Sequence, residues 1–195
     1  MHFAVLMRKQ YIDNPWISYR WVPQEVLPDF GQFEAHKQAS KPICGQFLGR
    51  DEGGESWLFT GFELNLFPDE AEGYYLNLSA TTPSWFVMWR LEEDIERYID
   101  DQSIALAKTE STFAVPHRIC VSYNEAARLL DGGESVDTVL MTEEHASWLQ
   151  EYVNEHYRPE PKKRHILYTF FRRRQSQRYA LHGRIGYKHR CSYSQ

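Results

Sequence analysis

The chain predicts an α+β fold: a mostly antiparallel, strongly twisted sheet or partly closed β-barrel of about six or seven strands, with two helices in the C-terminal third. Three observations carry that expectation. Between Trp57 and Leu91 apolar side chains recur at every second residue in three consecutive runs. Aromatic residues make up 15% of the chain and crowd into the same stretch. Two clear helix-start signals, at Ser122 and Thr142, come late.

The three runs read as a meander. From Trp57 to Phe67, Leu58, Phe62, Leu64 and Leu66 fall at even spacing around Glu63 and Asn65, the signature of a half-buried strand. Pro68, Asp69 and Gly73 break the run. Tyr74 to Ser79 alternates again, with Tyr74, Leu76 and Leu78 opposite Tyr75, Asn77 and Ser79; Glu63, Asp69, Glu70 and Glu72 then cluster about a solvated hairpin turn. In the third run Trp85, Val87, Trp89 and Leu91 share one face and Phe86, Met88 and Arg90 the other, so both faces of this strand are expected to be covered.

Upstream, Phe3 to Lys9 is an opening strand in which Phe3, Val5 and Met7 alternate with Ala4, Leu6 and Arg8. Trp16 to Val26 is a second, interrupted at Pro23 and marked as an edge by Pro23 and Pro28. Asp29 to Ser56, rich in glycine and poor in aliphatics, reads as a long loop bearing the short apolar piece Ile43 to Leu48. Downstream, the acidic run Glu92 to Glu96 is a solvated turn and Phe113 to Val121 a further strand. Ser122-Tyr123-Asn124-Glu125 fits a capping box, opening a helix through Asp131 that Gly132 and Gly133 stop. Val136 to Met141 is a short strand. Thr142 caps a second helix, about Glu143 to Tyr157, with His145, Trp148, Leu149, Tyr152, Val153 and His156 in one stripe before Pro159 and Pro161 end it.

A chain of 195 residues suits one core, here a single β-rich domain over 1–161 followed by a basic extension over 162–195. The net charge of −5 conceals a partition: residues 158–195 carry 11 Lys and Arg against Glu160 alone, whereas 1–157 carry 11 basic and 26 acidic residues. No apolar run approaches the roughly 20 residues of a membrane helix. With no signal-peptide pattern, a cytoplasmic location is expected.

Cys44, Cys120 and Cys191 form no C-x-x-C pair and are expected as reduced thiols. His117 and Cys120 fall on opposite faces of a strand, and His145 and His156 lie about 16 Å apart along a helix, so neither pair shares a metal. Nucleotide-binding and hydrolase signatures are absent. The sequence therefore offers no catalytic residue, no metal ligand and no cofactor site.

The segments Gly61-Phe62-Glu63-Leu64, Asp69 to Asn77, Trp85 to Arg90, Val121 to Arg128, Asp131-Gly132-Gly133 and His156 to Arg164 resemble a bacterial family, the domain-of-unknown-function family numbered 3305. The likeness covers most of residues 1–164. It implies a gene neighbourhood shared with molybdopterin-dependent formate dehydrogenases, and with it a non-catalytic accessory or assembly protein for a molybdenum or tungsten formate dehydrogenase, whose partners are dehydrogenase subunits or maturation factors. No catalytic residue comes with the resemblance.

Partner-binding side chains are then expected among Tyr74, Tyr75, Trp85 and Trp89 on the meander and Trp148, Tyr152 and His156 on the last helix, since interfaces draw on Trp and Tyr anchors. The basic Lys162, Lys163 and Arg164 join them. Two other classes compete: a small-molecule-binding β-barrel lined by the same aromatics, and a nucleic-acid binder using the basic tail.

Overall fold

The computed structural model describes residues 1–33, 41–108 and 112–159. Among these, seven strands form two antiparallel sheets rather than one sheet or a closed barrel. The first has the order β2-β1-β4-β3, built from β1 (His2–Tyr11), β2 (Tyr19–Pro28), β3 (Cys44–Asp51) and β4 (Gly54–Glu63). The second has the order β6-β5-β7, built from β5 (Ser84–Glu92), β6 (Phe113–Cys120) and β7 (Ser135–Leu140). Four helices accompany them: α1 (Ala71–Leu78), the single turn α2 (Ile104–Ala107), α3 (Tyr123–Asp131) and α4 (Glu143–His156).

The divergence from the expected meander begins at α1. Tyr74 to Leu78 is helical, so β4 and β5 are joined by a helix that carries the chain from one sheet to the other. Pro68 leads a 3-10 turn into α1, with Asp69, Glu70 and Glu72 placed where the positive end of the helix dipole favours carboxylates. The buried residues Ala71, Tyr74 and Asn77 keep a spacing of three, a helical period.

The glycine-rich stretch expected as loop instead holds β3 and the start of β4. Gly54 turns between them at φ +147°, where a Cβ would stand 2.1 Å from the Lys9 carbonyl oxygen. Part of that expected loop, 34–40, lies outside the described residues. Trp16 and Ile17, expected in a strand, occupy the β1–β2 loop, with Trp16 90% exposed.

The two sheets face each other through rings. Trp21 of β2 and Trp57 of β4 meet Phe113 of β6 at centroid distances of 4.6 and 4.7 Å, and Phe3 of β1 meets Trp85 of β5 at 4.8 Å. On β5 the alternation holds: Trp85 and Val87 join this core, while Phe86 turns to a smaller cluster with Cys120 and Ala126, where α3 packs. Burial of that cluster pushes the Cys120 thiol up to about 12.

At one margin of the core the inward row turns polar. Lys9, buried, faces Trp21 on one side and Glu55 on the other, and Glu55 faces Arg50. Burial alone would raise the Glu55 carboxyl. The Tyr11 hydroxyl at 2.9 Å, the charge of Lys9 and Arg50 at 2.6 Å overcome it and hold the group below its usual range.

α3 and α4 start where their caps stand. Ser122 Oγ accepts from the Glu125 amide at 3.1 Å, and Thr142 Oγ1 accepts from the His145 amide at 3.3 Å. α3 nevertheless ends as the final third of the chain begins, and α1 and α2 lie well ahead of it. The Glu125 carboxylate does not close the expected box; Arg118, on the outer face of β6, engages it at 2.7 Å. Gly133, at φ +84°, ends α3: Glu134 N donates to Leu129 O and Gly133 N to Leu130 O, the two bonds of a Schellman stop.

Asn77 is the joint that fixes α1 against the second sheet. Its Nδ2 donates to Ser84 O at 2.8 Å and Val121 O at 2.9 Å, and its Oδ1 accepts from Ser84 N at 3.0 Å, all buried. Asn77→Ala is expected to lower unfolding free energy by about 3 kcal/mol, because it strands three buried backbone groups. Asn65→Ala, at an exposed site, should cost less than about 0.5 kcal/mol; urea titration of both variants checks the contrast.

Candidate docking surface formed by α1, α3 and α4

α4 is seated first. His145, Leu149 and Val153 are its buried residues, and the His145 ring stands edge-on to Phe3 (5.8 Å) and Trp85 (5.3 Å) at one end of the sandwich. Residues one step round the helix, Trp148, Tyr152 and His156, therefore lie half-buried along the border with α1. Tyr152 meets Tyr74 of α1 at 5.9 Å and His156 at 4.2 Å, and Tyr157, just past the helix, stacks on Tyr75 at 4.7 Å and 23°.

This geometry sorts the expected partner-binding residues. Tyr74 (2% exposed) and Trp85 (1%) are core residues, not docking residues. The Tyr74 hydroxyl accepts from Phe67 N at 3.1 Å, and burial pushes its pKa up to about 12. Trp89 is half-buried on the second sheet, its Nε1 donating to Asp137 Oδ2 at 2.8 Å, and it stands outside the α1–α4 grouping. The structure brings together Tyr75, Trp148, Tyr152 and His156 on the α1–α4 seam, with Tyr75 the most open at 43%. Lys162, Lys163 and Arg164 lie outside the described residues.

Several neighbours escaped the sequence reading. Tyr157 is one; its position one residue beyond the aromatic stripe was the available signal. The others line a cleft of about 320 Å³ between the turn before α1, the outer face of β6 and α3, among them Phe67, Asp69, Arg118 and Leu129. Here Ser122 Oγ donates to Glu70 Oε2 at 2.7 Å and Arg128 pairs with Glu70 Oε1. The Ser122 bond, then Arg128, holds the Glu70 carboxyl below its usual range. Gly73 allows this closeness, since a Cβ there would stand 2.1 Å from Ser122 Oγ. Ionised and with both oxygens engaged, Glu70 is a structural clamp rather than a proton carrier. No group of three or more His, Cys, Asp or Glu side chains is arranged to hold a metal ion among the described residues.

An α+β domain of two facing antiparallel sheets, with α1 and α4 forming an aromatic seam at one end, is the class this architecture defines. The model of the protein-of-unknown-function family DUF3305 matches residues 2–165, and the chain belongs to that family. No curated protein and no solved structure matches it.

Burial lowers the His145 pKa from 6.5. The folded state prefers the neutral ring, so below about pH 6.5 the unfolded chain binds a proton that the folded one resists, and stability falls with pH. Urea midpoints should drop between about pH 7.5 and about pH 5.5, and His145→Gln should flatten that slope. A second fall below about pH 4.5, as protons reach the clamped Glu55 and Glu70, should persist in the variant.

Proposed function

We propose that this protein is a non-catalytic accessory or assembly factor for a molybdenum or tungsten formate dehydrogenase system, acting by protein-protein binding through the α1–α4 seam. One observation supports the mode of action above others. The rings of Tyr75 and Tyr157 stack flat against each other on a surface that also offers Leu76, 40% exposed, and the half-buried Trp148 and Tyr152. Rigid aromatic side chains with exposed faces supply contact area at little entropic cost, which is why binding surfaces concentrate them. The direction of the partner rests on the gene neighbourhood that the sequence resemblance implies for the family to which the chain belongs.

Three of the six segments that carry the family likeness also meet at this end of the molecule. Asp69 to Asn77 contains most of α1, Val121 to Arg128 contains the cap and most of α3, and His156 closes α4. Their side chains tie α1 to α3 through Glu70, Ser122 and Arg128.

Affinity capture of the tagged full chain from its own host, grown under formate-oxidising conditions, tests the reading. Dehydrogenase subunits or cofactor-insertion factors should be retained, and Tyr75→Ala with Tyr157→Ala should lose them by roughly tenfold, the size of one removed aromatic anchor. Leu140→Ala, at an exposed position on β7, should retain them. Trp148 is a poor probe because it also packs on the core. Absence of dehydrogenase components from the wild-type capture would refute the partner assignment.

A further inference from the structure

The rings of the seam sit in a predominantly acidic field. α1 and α4 together carry Glu72, Glu143, Glu144, Glu151 and Glu155, all exposed, and not one Lys or Arg. Helical spacing sets Glu144, Glu151 and Glu155 on the flank of α4 beside Trp148, at four before, three after and seven after it. Asp69, in the turn before α1, and Glu155 lie near enough to Tyr152 that, after burial, their charges help raise its pKa. Of the described arginines near the seam, Arg128 is paired with Glu70 and Arg118 with Glu125, and the exposed Arg158, one residue past Tyr157, is a single positive charge against the five carboxylates of α1 and α4. An aromatic face bordered by exposed carboxylates that outnumber the cations beside them is complementary to an ammonium or guanidinium group, which can lie over a ring while a carboxylate holds its edge.

We propose, resting on the docking reading above, that the α1–α4 seam receives a lysine- or arginine-rich segment of the partner protein. The observations favour a basic polypeptide over other partners. The 26 acidic against 11 basic residues of 1–157 repel nucleic acid and anionic lipid and steer cationic segments inward. Recognition then has two parts. Long-range attraction from the acidic body raises the encounter rate, and the Tyr75–Tyr157 stack with the Asp69 and Glu155 carboxylates selects the pose.

The test uses the full chain and a fluorescein-labelled peptide of four arginines between Gly-Ser flanks, followed by fluorescence anisotropy at low salt. The peptide should bind, weaken as salt rises, and outcompete a tetraglutamate control. Asp69→Asn with Glu151→Gln and Glu155→Gln should weaken binding roughly tenfold, the sum expected of a few exposed charge pairs. Tyr75→Ala should weaken it further. Removing the same charge elsewhere, through Asp13→Asn, Glu52→Gln and Glu93→Gln at exposed positions, should change affinity less than about twofold if the site is local.

Equal losses in the two charge sets would reduce the effect to net charge and overturn the proposal, as would absence of binding. A tenfold gain on Lys162→Glu with Lys163→Glu and Arg164→Glu would assign the surface to the chain's own basic segment and overturn it too. Dehydrogenase capture that survives the Asp69, Glu151 and Glu155 variant but not the Tyr75 and Tyr157 variant would leave the accessory function standing and this inference refuted. Local peptide binding without dehydrogenase capture would do the reverse.

Discussion

Asn77 donates two hydrogen bonds and accepts one, and through them a helix, the end of a strand and the approach to a second helix are held as one piece. Its partners, Ser84 and Val121, stand at the entry to β5 and immediately before the Ser122 cap of α3. A buried amide can satisfy three backbone groups at once only when all of them are fixed, so the contact is strong because it is cooperative and costly because nothing replaces it. Gly73 and Glu70 complete the joint by letting the Ser122 hydroxyl reach a carboxylate. Alone, eight residues form a marginal helix, so α1 depends on this joint together with the burial of Ala71 and Tyr74 in the core.

The proposed function follows from where that joint puts two tyrosines adjacent in sequence. A helix turns successive side chains by about 100°, so one tyrosine of the pair faces the core and the other faces outward. Tyr74 is inside, against Tyr152; Tyr75 is outside, on Tyr157. The same logic along α4 separates the anchors His145, Leu149 and Val153 from the border residues Trp148 and Tyr152, and places carboxylates on the next flank. An aromatic strip with an acidic margin is the result.

Much of this was legible in the sequence where a single local rule governs. Alternation located β1 and β5 within one or two residues, and the Ser122 and Thr142 caps located α3 and α4. α1 was misread because a run of eight with apolar residues at 71, 74, 76 and 78 fits both periods; the Pro68-Asp69-Glu70 start signal was the better guide. β3 was hidden by glycines that a tight hairpin requires and that look the same in a loop. Lys9 continues the inward series Phe3, Val5, Met7, so its burial could have been read from the pattern. The Glu70–Arg128 clamp joins residues 58 apart, and no local rule brings those together. Nor does a ring's chemistry tell core from surface, which is why Trp85 and Tyr74 were grouped with Tyr75.

Hydrogen–deuterium exchange of the full chain, alone and with the dehydrogenase subunits proposed as its partner, tests the central claim most directly. Exchange should slow on binding in two separate stretches, residues 67–78 and 148–158, with the β1–β2 loop around Trp16 unchanged. Protection confined to that loop, or to the outer strands, with the α1–α4 seam unaltered, would contradict it.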